Sequence, residues 1–275
     1  GETRLTFPFP LFIEKIQNYI VLSQQLLRGA ADLCGVVIVD VDDPAQPVLV
    51  RHYNGKNTDN VSNWCEVHTS QVSVDAKGDG AYLYLSSLAR GDLRVLDIGD
   101  LNNVREVNHY TYSLGTNRNV FVHDTTIVGD RVYVGYWGAG LLILDKKQVE
   151  AGQAVTPLNP NGSIMPAGFQ VHQGYPTSDG NFVFIEDEVN YKPPFSQLRL
   201  YDIRDIKNPK EVLSVTLEKP FSSPHNLLVD GNLLYAGWYM DGVRVFKYDV
   251  SKPDQPKVEP VAFKSVRPEK GKGVF

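Results

Sequence analysis

Methionine is nearly absent from this 275-residue chain, at 2 residues, and cysteine and tryptophan are scarce, at 2 and 3. No uninterrupted apolar run approaches the roughly 20 residues a membrane-spanning helix needs, so no transmembrane segment is expected. Basic charge is in deficit as well. Lys plus Arg total 27 against 32 Asp plus Glu, a net charge of −5, which is the wrong sign for a nucleic-acid binder or an anionic-membrane surface protein. No basic stretch leads into an apolar core at the N-terminus, and Phe7-Pro8-Phe9-Pro10 is broken by proline, so no signal peptide is read there. A chain from which such a peptide had been cleaved would look the same. The common chemical signatures are missing too: no phosphate-cradling glycine loop, no Gly-x-Ser-x-Gly elbow, no His-Glu-x-x-His helix and no zinc-finger cysteine pair. Acidic residues are scattered, so spacing names no glycosidase pair.

What the chain has instead is 14 Tyr, 12 Phe, 23 Gly and 17 Pro, a composition of strands and turns. Five segments end a β-branched or leucine-rich run in aspartate: Gly35–Asp40, Asp92–Asp97, Gly140–Asp145, Gln197–Asp202 and Gly242–Asp249. The aspartates are spaced 57, 48, 57 and 47 residues apart, a period near 52. Three of the runs continue into a similar tail, at Val41–Pro47, Ile203–Pro209 and Val250–Pro256, and a further strand follows each. Upstream lies a hairpin pattern, as in Asp124–Trp137 and Asn226–Tyr239, with Gly129-Asp130 and Asp230-Gly231-Asn232 at the tight turns. Four antiparallel strands in about fifty residues, repeated, indicate an all-β chain built as a β-propeller of about five four-stranded blades. The blades fall near 8–62, 63–118, 119–169, 170–222 and 223–275, within one domain. In the first, Leu11–Leu27 could form an amphipathic helix, but two strands are favoured because the aspartate-ended strand needs partners. The chain could also be a fragment of a larger propeller.

Residues 35–50, GVVIVDVDDPAQPVLV, resemble the LVIVD repeat, and GLLILD and GVRVFKYDVSKPDQP look like further copies. The resemblance implies the propeller fold and favours export, to the periplasm, the medium or the cell surface. It implies little about activity. The third blade departs from the pattern after Asp145, where Lys146-Lys147-Gln148-Val149 replaces the aspartate–proline tail and leaves the outer strand in question.

Four of the six histidines keep time with the repeat. His68, His123, His172 and His225 are spaced 55, 49 and 53 residues apart, each at the beginning of an expected innermost strand. Equivalent positions on successive blades converge on the axis, so four imidazoles could hold a transition metal such as Fe, Cu or Zn. Blade one lacks the histidine. A register-pinning role inherited by duplication is the competing explanation. Glu66, Glu186, Asp187 and Glu188 are the candidate acid–base or imidazole-orienting carboxylates, Asp124 is a further possible orienting group, and Trp137, Tyr191, Trp238 and Tyr239 could wall a pocket. His52 and His109 fall in outer strands and read as cross-strand or surface residues. Cys34 and Cys65 fall on one face of adjacent blades, within reach of a disulfide.

Two functions follow. The first is an exported propeller with a four-histidine axial metal site acting on a small molecule as an oxidoreductase or lyase. The second is a non-catalytic propeller that binds a protein or glycan through its loops, its histidines structural. Neither fixes an oligomeric state.

Overall fold

Runs such as GVVIVD and QLRLYD are too short for helices and too apolar for loops, and their branched side chains favour a pleated, buried strand. In the computed structural model they are the third strands of their repeats. The structure describes residues 13–16, 19–24, 34–55, 64–74, 80–88, 91–112, 120–160, 162–166, 168–189, 197–217 and 222–265. The first sheet holds β1 (Ile13–Ile16), β2 (Tyr19–Gln24), β3 (Gly35–Asp40) and β4 (Val48–Tyr53), in sequence order. Two strands thus form where a helix was the alternative. The second sheet repeats this order with β5 (Thr69–Val74), β6 (Ala81–Ser86), β7 (Asp92–Asp97) and β8 (Arg105–Thr111). The third has three strands, β9 (Asp124–Val128), β10 (Arg131–Gly135) and β11 (Leu141–Asp145), and then the helix α1 (Lys146–Glu150). β12 (Val171–Pro176), β13 (Phe182–Asp187), β14 (Leu198–Asp202) and β15 (Lys210–Val215) make the fourth. The fifth is β16 (Leu227–Asp230), β17 (Leu233–Gly237), β18 (Val243–Asp249) and β19 (Lys257–Lys264).

The recurring aspartates have a local task. Oδ1 of Asp40, Asp97, Asp202 and Asp249 accepts the backbone N–H two residues on, at 2.9–3.0 Å, which turns the chain after each third strand. The next turn also recurs, with Gln46, Asn103, Asn208 and Gln255 each donating N–H to the carbonyl three residues back at 2.9 Å. The third repeat lacks the second of these turns and forms α1 instead. Val149 is buried, and the Glu150 carboxylate accepts from Ser73 Oγ at 2.9 Å and Tyr84 OH at 3.1 Å, which docks α1 on the second sheet. Burial and the Glu150 charge push the Tyr84 phenol well above its usual range.

The chain divides into two compact units. Unit 1 comprises Gly1–Ser113, Phe121–Ile127 and Lys146–Val155; unit 2 comprises Leu114–Val120, Val128–Asp145 and Thr156–Phe275. The division falls within the third sheet. Val36, Ile38, Tyr53, Trp64, Leu83, Leu85 and Leu96 fill the core of unit 1, where the first and second sheets face each other. Unit 2 has two apolar clusters, one around Tyr133, Ile143, Val183 and Ile185, the other around Phe184, Leu200, Leu234, Trp238 and Phe246. A disulfide joins Cys34 to Cys65 in unit 1, with Cα atoms 4.9 Å apart. Among the described residues no helix is long and apolar enough to cross a membrane.

Candidate metal centre

Each in-phase histidine lies at the start of a first strand. His68 and His123 immediately precede β5 and β9, His172 is the second residue of β12, and His225 lies two residues before β16. The backbone places two of them alike: the N–H of His68 donates to the Ser86 carbonyl at 2.8 Å, and that of His225 to the Gly237 carbonyl at 2.7 Å, each at the end of a second strand.

Within each unit two imidazoles meet. In unit 1 the rings of His68 and His123 are 4.4 Å apart and nearly perpendicular, at 78°. Thr69 Oγ1 donates to the His123 carbonyl at 3.3 Å, and Glu66 accepts from Ser87 Oγ at 2.7 Å. Buried Asp124 accepts the Thr125 N–H at 2.7 Å. In unit 2 the rings of His172 and His225 are also 4.4 Å apart, tilted by 46°.

Carboxylates lie against the unit 2 pair. His172 and Glu186 are both 0% exposed, and His172 Nδ1 is paired with Glu186 Oε1. The pairing of β12 with β13 shifts register between Val171 and Gly174, and His172 occupies that irregularity. Glu186 and Asp187 are the last two residues of β13, and Glu188 lies in the bend that follows. Asp187 is used locally, its Oδ1 accepting the Val189 N–H at 3.3 Å. Glu188 lies between the imidazoles, with Oε2 3.8 Å from His172 Nε2 and Oε1 3.6 Å from His225 Nε2. Burial lowers His225 to about 4, so its imidazole is neutral at pH 7, the form a metal requires. Burial raises Glu188, with the Asp187 charge adding and a hydrogen bond from Tyr239 opposing.

Tyr239 comes from the turn between β17 and β18. Its ring lies 4.8 Å from that of His225, and its hydroxyl donates to Glu188 Oε1. The turn is tied to the segment before β16: Trp238 Nε1 donates to the Ser222 carbonyl at 2.9 Å, and Asp241 Oδ2 accepts the Ser222 N–H and Oγ–H, both at 3.0 Å. Trp238 is fully buried against Phe246 and is core, where the sequence reading allowed a pocket wall. Trp137 is 8% exposed and forms a backbone bridge to Val171, beside His172. Tyr191 and the rest of 190–196 lie outside the described residues. His52 and His109 are cross-strand residues, with Nε2 2.7 Å from the Cys34 carbonyl and 2.9 Å from Asp92 Oδ2 respectively.

Two positions hold His172 and His225 in place without touching their rings. At Gly135 a Cβ would lie 2.0 Å from the His172 carbonyl oxygen, so β10 can approach β12 this closely only as glycine. Gln173 Oε1 accepts the Leu227 N–H at 2.6 Å, joining β12 to the start of β16. Neither was legible as part of a site, because each acts through backbone groups distant in sequence.

The repeat-family model LVIVD matches at two places. Residues 31–55 and 122–145 are LVIVD repeats. Comparison with the curated proteins gave no match. Among solved structures, the chain resembles a periplasmic gluconolactonase from Pseudomonas aeruginosa, with TM-score 0.63, 15% identity, and coverage of 91% of this chain and 70% of that one. A putative 6-phosphogluconolactonase from Bacteroides fragilis gives TM-score 0.62 at 12% identity, covering 94% and 71%. A β-propeller domain from Myceliophteria thermophila gives 0.57 at 11%, covering 90% and 70%. At these identities the likeness shows a fold of the β-propeller kind and carries no substrate.

Proposed function

We propose that the protein binds a transition-metal ion in unit 2 through His172 Nε2, Glu188 and His225 Nε2, and uses it on a small molecule. The observation that carries this reading is the Glu188 carboxylate set between two imidazoles, one of them backed by a buried carboxylate. Donor separations of 3.6 and 3.8 Å lie slightly outside the roughly 3.3 Å edge of a tetrahedral site with bonds near 2.0–2.1 Å. The two distances run to different Glu188 oxygens, Oε1 for His225 and Oε2 for His172. Glu186 would hold the His172 tautomer with Nε2 facing the metal, as outer carboxylates do for imidazole ligands. Imidazole and carboxylate together suit Fe, Cu or Zn.

At such a centre the metal would act as a Lewis acid or electron carrier, in keeping with an oxidoreductase or lyase, and Glu188 could carry a proton. The five sheets are read as five blades. Export is supported by the Cys34–Cys65 bond, which persists in oxidising compartments.

Metal analysis of untagged, reconstituted protein tests the reading. About one ion per chain is expected, lost in His172→Ala and His225→Ala, with affinity reduced about 10- to 100-fold in Glu186→Gln. His68→Ala and His123→Ala measure whether the unit 1 pair contributes. A chain that takes up no Fe, Cu or Zn contradicts the proposal.

A further inference from the structure

Tyr239 and Trp137 share an unusual backbone. Both have φ +34°, the only described non-glycine residues with positive φ. Their turns are built alike. Trp238 N–H donates to the Gly242 carbonyl, Asp241 N–H to Trp238 and Gly242 N–H to Tyr239; Tyr136, Ala139 and Gly140 make the same three bonds in the turn after β10. Glycine would satisfy such a turn without strain, whereas a bulky residue there costs about 1–2 kcal/mol. An aromatic side chain kept at that cost has a task, and strained residues of this sort cluster where ligands bind.

For Tyr239 the geometry shows the task. Its hydroxyl and His225 Nε2 converge on the same oxygen, Glu188 Oε1, and its ring lies 4.8 Å from the His225 imidazole, tilted by 41°. Tyr239 is 42% exposed, so the phenol lies on the open side of the group. We infer that Tyr239 is an oxygen donor to the metal held by His172, Glu188 and His225, which makes the centre a two-nitrogen, two-oxygen site for Fe(III) or Cu(II). This rests on the metal reading of the preceding section and adds the fourth ligand and the class of ion. On binding, the phenol O–H bond breaks, its electron pair forms the oxygen–metal bond, and the proton leaves to solvent; no oxidation state changes. The hard phenolate oxygen favours these two oxidised ions over Cu(I).

The test uses the full chain loaded with Fe(III) or Cu(II) and read by visible absorption and resonance Raman. A phenolate-to-metal charge-transfer band with tyrosinate ring modes is expected, lost in Tyr239→Phe while that variant still takes up metal through His172, Glu188 and His225. The Raman assignment on the unsubstituted chain keeps the test decisive should the variant fold poorly. Bound Fe(III) or Cu(II) without the band, or a band that survives in Tyr239→Phe, overturns Tyr239 as a ligand and leaves the three-residue reading standing. No uptake of either ion, with Zn still bound, also overturns it, and no uptake of any of the three ions overturns both.

Discussion

The two units each bring a pair of imidazoles to the same separation, yet surround them differently. The segment leading to His68 is held by a disulfide at Cys65, the Ser87–Glu66 hydrogen bond, and buried Trp64 and Val67. Around His172 and His225 the carboxylates Glu186 and Glu188 and the phenol of Tyr239 face the imidazoles themselves. The segment before His225 is held by Asp241 and Trp238 through Ser222. All four histidines sit at the start of a first strand, and the groups around the two pairs differ. Those of unit 1 fix the chain, and those of unit 2 are the groups on which the proposed metal site rests.

Breaking the unit 1 anchor should have the largest effect. The bond closes a loop with a sequence separation of 31, so replacing both Cys34 and Cys65 with serine should cost about 3–4 kcal/mol in denaturant unfolding, while metal uptake through His172 persists. Gly135→Ala should follow, at about 3 kcal/mol, because the added methyl meets the His172 backbone. Gly129→Ala is its control. There a Cβ meets nothing within 4 Å, and only the positive φ costs, about 1–2 kcal/mol. Differential scanning calorimetry distinguishes the two, and only the first should also disturb metal uptake.

Acid should weaken unit 2 through His225. Folded, this imidazole titrates near 4; unfolded, near 6.5. The unfolded chain therefore binds the extra proton, and the contribution is complete above pH 6.5 and lost as pH falls toward 4. Partial exposure reduces its size to about 2 kcal/mol. Metal-free protein should show this fall between pH 6.5 and 4, and His225→Phe should flatten it. The smallest effect is at the Ser222 anchor, where Asp241→Ala removes two hydrogen bonds at an expected cost of about 1–2 kcal/mol, read from the unfolding midpoint.

The sequence made the repeating frame legible because its signals are local. An aspartate that accepts from the N–H two residues ahead leaves the same mark in four of the five copies, and the loss of the tail after Asp145 marked where α1 interrupts the pattern. The phase of the histidines was visible for the same reason. Their pairing, 4.4 Å apart within each unit, was not, since spacing fixes a strand position and says nothing of ring orientation. Glu186 and Glu188 could be named from their neighbourhood, but the burial that sets Glu186 on His172 Nδ1 depends on a register shift that no local residue announces. Trp238 and Tyr239 are adjacent and looked equivalent as aromatics. The turn sends the first into the core and the second, at a strained φ, to Glu188.

The contrast between the units can be put to one measurement: metal stoichiometry of the untagged chain and of the His172→Ala and His68→Ala variants, reconstituted side by side. The expected result is about one ion per chain, lost with His172 and dependent on the carboxylate-rich pair. Failure of the unsubstituted chain to take up metal, or uptake that survives His172→Ala and disappears with His68→Ala, would contradict the assignment of the site to unit 2.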